Sequence, residues 1–148
     1  MRYREDFEPI LTGVNMDIKP GDQLGIVGRT GSGKSSLFRS LLRLTEVERG
    51  VIAIDGVDLS TVSLNLLRSS ISIIPQDPVL FSGSIRSNLD PFLSHSDDEV
   101  WAALKKAELD ETVMKLRGQL SFEVSEGGGN FSSGQRQLLC LARALVRI

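Results

Sequence analysis

The chain has 148 residues, 41% hydrophobic and 24% charged, with a formal net charge of -2, the make-up of one globular domain with its own core. That balance excludes a chain built to wrap nucleic acid or coat an anionic membrane, and no nucleic-acid partner is expected. No apolar run approaches the roughly 20 residues that cross a bilayer, and Met1-Arg2-Tyr3-Arg4-Glu5-Asp6 lacks a signal peptide's apolar core; any link to a membrane must come through a partner.

Taken in order, Val14, Met16 and Ile18 alternate with Asn15, Asp17 and Lys19, which predicts a strand with one wet face, closed by a turn at Pro20-Gly21-Asp22. Leu24-Gly25-Ile26-Val27 reads as a short buried strand. It runs into Gly28-Arg29-Thr30-Gly31-Ser32-Gly33-Lys34-Ser35, which fits the phosphate-binding loop pattern of Gly, four residues, then Gly-Lys-Ser/Thr. After it, Leu37, Leu41 and Leu44 recur at helical spacing, with Arg39 and Arg43 turned away from that stripe. A strand that turns through glycines into a helix start leaves amides aimed into one concavity that an anion completes. The residues of that cradle are Gly28, Arg29, Thr30, Gly31, Ser32, Gly33, Lys34, Ser35 and Ser36. Lys34 reaches the β- and γ-phosphates of a nucleotide in this pattern, and the Ser35 hydroxyl binds Mg²⁺.

Val51-Ile52-Ala53-Ile54 predicts a strand ended by the turn dipeptide Asp55-Gly56, and Ser63 to Ser69 a short helix. Ile71-Ser72-Ile73-Ile74 predicts another strand, stopped by Pro75. This alternation implies an α/β layer with some parallel pairing. From about 82 to 130 the pattern is mostly helical. Ser96 and Glu99 form a capping box before Val100, Trp101, Leu104 and Ala107, with Trp101 as a core anchor. Leu109, Val113, Met114 and Leu116 predict a second helix. Glu126-Gly127-Gly128-Gly129-Asn130 reads as a flexible, hinge-like loop.

The last helix starts at Ser132, with Gln135 placed for a capping box. Leu138, Leu141, Ala142 and Leu145 form its buried stripe, Arg136, Arg143 and Arg147 share another face, and Cys140, among leucines, is a buried small side chain. Physics leaves two readings of Ser132: an ordinary cap, or an anion site made with the Ser133 and Gly134 amides. His95, between Ser94 and Ser96, reads as solvent-exposed.

The order of phosphate loop, Ile73-Ile74-Pro75-Gln76-Asp77-Pro78 and Asn130-Phe131-Ser132-Ser133-Gly134-Gln135-Arg136-Gln137-Leu138 resembles the nucleotide-binding domain of ATP-binding cassette transporters. The nearest likeness is to the second such domain of the multidrug-resistance-associated protein subfamily, through Gly25 to Gly31, Pro78 to Gly83 and Arg136 to Leu145. The resemblance implies an α/β fold of the P-loop NTPase type with a mostly helical insert: a core of about 1–81, a helical subdomain of about 82–134 and a signature helix of 132–148. It implies ATP and Mg²⁺ as cofactors, Lys34 and Gln76 as catalytic residues, and Ser35 and Gln76 at the metal. Tyr3 is similar to the aromatic that stacks on adenine, its alternative being a residue of a frayed strand. Ser132, Ser133, Gly134 and Gln135 match the signature loop that caps the γ-phosphate of ATP on a second nucleotide-binding domain, in a head-to-tail sandwich.

The signature departs from the family pattern at Ser133, where a glycine is usual, and at Phe131, where leucine is commoner. The sequence as given ends at Ile148. The family next has an apolar strand with a Mg²⁺-binding aspartate, a catalytic glutamate and a switch histidine, so the last part of the core sheet is expected to be missing. The implied function is the ATP-binding part of an exporter of organic solutes or conjugates, held at the cytoplasmic face by transmembrane domains. Hydrolysis then belongs to the whole protein; this stretch alone is expected to bind Mg-ATP weakly or not at all and not turn it over. The alternatives are a regulatory ATP-binding module of a channel or nucleotide sensor, and a soluble cassette ATPase.

Overall fold

Turn and cap chemistry decides most of the elements. In the computed structural model, which describes residues 1 and 8–147, the chain divides into two compact units, Met1–Ile71 and Ser72–Ile148. Tyr3 lies outside the described residues.

In the first unit, α1 (Lys34–Leu41) leads to β1 (Ala53–Ile54), β2 (Val57–Asp58) and α2 (Leu64–Ser70). β1 and β2 form an antiparallel hairpin whose turn residues Asp55 and Gly56 sit at φ 51° and 77°, the left-handed pair that a two-residue hairpin demands. Ser63 caps α2 by accepting from the Leu66 amide. The end of α1 departs from the periodic reading. Arg43 takes φ 47°, its N–H donates to Ser40 O, and Leu44 N–H donates to Arg39 O at 2.9 Å, a left-handed stop in which an arginine fills glycine's usual place. Leu44 therefore lies beyond the helix and is exposed, while α1 buries Ser36 and Ser40. Arg43 is not turned to solvent: its Nη1 donates to Leu59 O and Val62 O, and Arg68 donates to Leu42 O and Arg43 O. The two guanidinium groups tie the end of α1 to α2 and to the segment before it.

Three strands expected in the sheet core carry no ladder among the described residues: 14–18, 24–27 and 71–74. The turn after the first does form, with Asp22 N–H donating to Lys19 O and Lys19 N–H to Asp22 Oδ2. Both sheets in the described residues are two-stranded and antiparallel, so the predicted parallel pairing is absent there. An apolar run supplies a face, but a strand exists only through a partner's backbone. Val14, Met16, Ile18, Leu24 and Val27 stay exposed, Val27 at 97%.

The second unit holds a well-formed core. β3 (Gly83–Ser84), α3 (Ile85–Leu89), α4 (Asp97–Lys106), α5 (Asp110–Met114), β4 (Glu123–Val124) and α6 (Ser133–Val146) follow in order, and β3 pairs antiparallel with β4. Both predicted capping boxes form, Ser96 with Glu99 and Ser132 with Gln135. Ile85, Leu89, Val100, Leu104, Leu109, Val113 and Leu139 are essentially sealed from water, with α6 packed along α4 and α3. Trp101 packs against this core only partly buried. The buried face of α6 is Leu139, Cys140, Ala142, Ala144 and Val146, whereas the predicted Leu138, Leu141 and Leu145 flank it half-buried. Neighbours on several sides bury more of α6 than one stripe. The 126–129 stretch is a built turn rather than a hinge: a 3-10 turn spans Glu126–Gly128 and Gly128, at φ 71°, is buried against Leu80.

Candidate functional site

The phosphate-loop residues fold as one local piece in the first unit. Gly33 caps α1 at φ 90°, a conformation that costs other residues about 1 kcal/mol or more, and a Cβ there would lie 3.1 Å from Leu11 Cδ2. At Gly28 a Cβ would collide with Ser32 Oγ. Ser32 N–H closes the turn onto Arg29 O at 3.1 Å. Lys34 opens the helix and folds its ammonium back over the loop, donating to Gly28 O at 2.5 Å and Arg29 O at 2.8 Å. The amides of Lys34 and Ser35 belong to the first turn and have no intrahelical acceptor. The loop thus carries a cation and helix-start amides, with glycines where a side chain would meet Ser32 or Leu11. This donor set fits a polyphosphate. Ser35 is exposed beside it, while Ser36 is buried.

The other predicted residues belong to the second unit. Gln76 lies at an exposed bend. Ser132 Oγ accepts from Gln135 N–H at 3.2 Å, and Gln135 Oε1 accepts from Ser132 N–H at 2.9 Å. A hydroxyl that accepts in a cap keeps its own hydrogen to donate. The amides of Ser133 and Gly134, both exposed, have no intrahelical acceptor. Serine hydroxyl and amides therefore converge at the start of α6.

Several residues that order these parts carry no motif. Asn88, 3% exposed, accepts from Phe81 N–H at 2.9 Å and donates to Phe81 O at 2.8 Å and Ser84 O at 3.1 Å. Arg143 Nε donates to Asn88 O at 2.7 Å, and its Nη1 to Val79 O at 3.0 Å; its guanidinium carbon lies 5.7 Å from the Phe81 ring centroid. The expected cationic face of α6 is thus divided, because Arg143 is spent on the 79–88 segment and Arg136 donates to Gly127 O. Sequence patterning shows a polar residue between apolar ones at Asn88 but not the backbone it serves.

Among the described residues, Asp90 is a buried carboxylate, 4% exposed, strongly shifted by its surroundings. Burial works against its ionisation, but the His95 and Ser94 amides and the Arg86 guanidinium outweigh it and hold the carboxyl down at about 2. Arg86 bridges it to Asp97, at 3.1 and 2.7 Å. His95 is not simply exposed: its Nδ1 lies 3.5 Å from Asp90 Oδ1, with the side chain 28% accessible. The carboxylate that gathers the 90–97 turn also draws in the imidazole.

A family model described as ABC transporter matches residues 11–147. The chain is 54% identical over 147 residues to ATP-binding cassette sub-family C member 2 of Homo sapiens, covering 99% of this chain and 10% of the relative. It is 52% identical over 147 residues to ABC transporter C family member 3 of Dictyostelium discoideum, with the same two coverages. The chain therefore spans about a tenth of the length of these curated relatives.

Proposed function

Since the chain belongs to the ABC transporter family, and so to the P-loop NTPases, we propose that it is the ATP-binding part of a nucleotide-binding domain that powers solute export. The observation that carries the proposal is the loop at Gly28–Lys34, where left-handed Gly33 delivers Lys34 to the first helical position and its ammonium lies over the loop carbonyls. Lys34 leaves Gly28 O and Arg29 O for the β- and γ-phosphates, and the amides of the first turn of α1 donate to the same oxygens. Ser35 would hold Mg²⁺, and Tyr3 would stack on the adenine. When bound, ATP supplies a γ-phosphoryl group for transfer to water, a reaction catalysed by positioning and charge stabilisation.

Ser132, Ser133, Gly134 and Gln135 are proposed to cap the γ-phosphate held by a second nucleotide-binding domain facing this one head to tail. No helix among the described residues is long and apolar enough to cross a membrane. Attachment to the cytoplasmic face of a membrane is ascribed to transmembrane domains of the transporter.

The test is nucleotide binding by the full-length protein and its Lys34→Ala variant, read with a photoreactive ATP analogue. Removing a charge-assisted pair with phosphate is expected to weaken labelling about 10- to 100-fold. Equal labelling of the two proteins would overturn the assignment.

A further inference from the structure

The segment joining β4 to α6 is rich in glycine and mostly exposed, yet side chains order it: Arg136 donates to Gly127 O, and Asn130 makes four hydrogen bonds at its end. Asn130 Oδ1 accepts from the Ser125 amide and the Ser125 hydroxyl, each at 3.1 Å. Its Nδ2 donates to Glu123 O at 2.8 Å, and its own N–H donates to Ser125 Oγ at 3.1 Å. An exposed carboxamide ordinarily trades such bonds with water. Here it closes the loop from 123 to 130 by binding the Glu123 carbonyl in β4 and the amide and hydroxyl of Ser125.

Phe131 follows, 8% exposed, its N–H donating to Gly128 O at 2.9 Å and its ring edge-on to Phe122 with centroids 5.9 Å apart. The next residue is the Ser132 cap. The body of α6 is held independently by Leu139, Cys140 and Ala142 in the core. The direction in which the chain enters the first turn of α6 is thus set by the two residues before Ser132, one polar and exposed, one aromatic and buried.

We infer that Asn130 is a positioning residue for the Ser132–Gln135 cap, fixing the angle at which the Ser132 hydroxyl and the Ser133 and Gly134 amides meet the phosphate they cover. This rests on the reading of that cap as a phosphate site. Because Asn130 is exposed and the core does not include it, its loss frays the first turn of α6 without unfolding the helix. The geometry separates positioning from stability.

The experiment uses the full-length protein with Asn130→Ala, Asn130→Asp and Ser132→Ala, measuring steady-state ATP hydrolysis, thermal unfolding and amide exchange over 123–137. Asn130→Ala is expected to raise KM for ATP about three- to tenfold, with kcat within about twofold, the pattern of a lost contact that serves bound substrate and transition state alike. Its melting temperature stays within about two degrees of the parent, as for surface changes, and the amides at 133–135 exchange faster. Asn130→Asp keeps the acceptor bonds to Ser125 and loses the donor bond to Glu123, so its KM falls between the two. If Ser132→Ala raises KM while neither Asn130 variant does, the inference is overturned and the phosphate cap stands. If Ser132→Ala leaves KM unchanged, the cap reading fails and takes the inference with it. A large drop in melting temperature in both Asn130 variants also overturns it, because Asn130 then supports the fold. Should Asn130→Ala not fold, Asn130→Asp decides alone: raised KM with normal melting supports the inference, and normal KM overturns it.

Discussion

Asn88→Ala is the sharpest test of how the second unit is tied together. The carboxamide holds both backbone groups of Phe81, as acceptor at 2.9 Å and donor at 2.8 Å. It also meets Ser84 O at 3.1 Å and Arg143 Nη2 at 3.2 Å. Arg143 keeps its bonds to Asn88 O and Val79 O in the variant, and Ser84 O can turn to water, so the loss falls on Phe81. Two partly buried bonds at about 1 kcal/mol each give about 2 kcal/mol, or about a 30-fold rise in local opening. Amide hydrogen exchange reads this directly: the Phe81 amide should exchange about 30-fold faster, while Leu139 and Ala142 amides in α6 keep their rates. Asn88→Asp retains the acceptor for Phe81 N–H but places a carboxylate against Phe81 O, so it should also speed exchange. Unchanged protection of Phe81 in both variants would refute the assignment of Asn88 as the tie. Uniform acceleration across α6 would refute its local character.

Other outcomes follow from single contacts. Gly128→Ala puts a Cβ 2.7 Å from Leu80 Cδ1 and 3.0 Å from Arg136 Cδ at φ 71°, and should destabilise the second unit by about 2–4 kcal/mol in urea unfolding; a neutral substitution would show that the 126–129 turn yields freely. Asp90, with a folded value of about 2 against 3.8 for a free aspartate, contributes about 2 kcal/mol that is fully present above pH 3.8 and lost as pH falls through about 2. Acid titration of helicity should show that loss, and Asp90→Asn should be less stable at pH 7 and flatter below pH 4. Phosphate-loop binding is checked by the Lys34→Ala labelling described above.

Much of the local structure was legible in residue order, because the energies concerned act over four or five residues. Ser96 and Ser132 announced helix starts, and both hydroxyls accept the amide expected of a cap; Ser63, read as the first residue of a short helix, is in fact its cap. Asp55-Gly56 announced a turn and supplies its two left-handed residues; that the chain pairs back on itself as a hairpin was seen only in the structure. The motif at Gly28–Ser35 pointed to a glycine-hinged loop feeding a helix, and left-handed Gly33 does open α1. Strands at 14–18, 24–27 and 71–74 were not decided by their own apolar alternation, since each needs a neighbouring backbone that its sequence does not contain.

Burial and side-chain destination belonged to tertiary structure. Periodicity marked Leu138, Leu141, Ala142 and Leu145 as the inner stripe of α6; Ala142 is buried, as is Cys140 in keeping with its reading, but the surrounding helices bury Leu139 and leave the three leucines half-buried. Arg43, Arg136 and Arg143 read as surface charge, yet each finds carbonyls from distant turns, a use no local pattern encodes. His95 read as loop solvent and is drawn to Asp90. The sequence by itself determined the phosphate loop, the caps and the family, because glycine freedom, amide orientation and capping hydroxyls are properties of neighbours along the chain. Only the tertiary structure decided which faces are dry and which donors meet which acceptors, because those depend on backbone brought in from elsewhere.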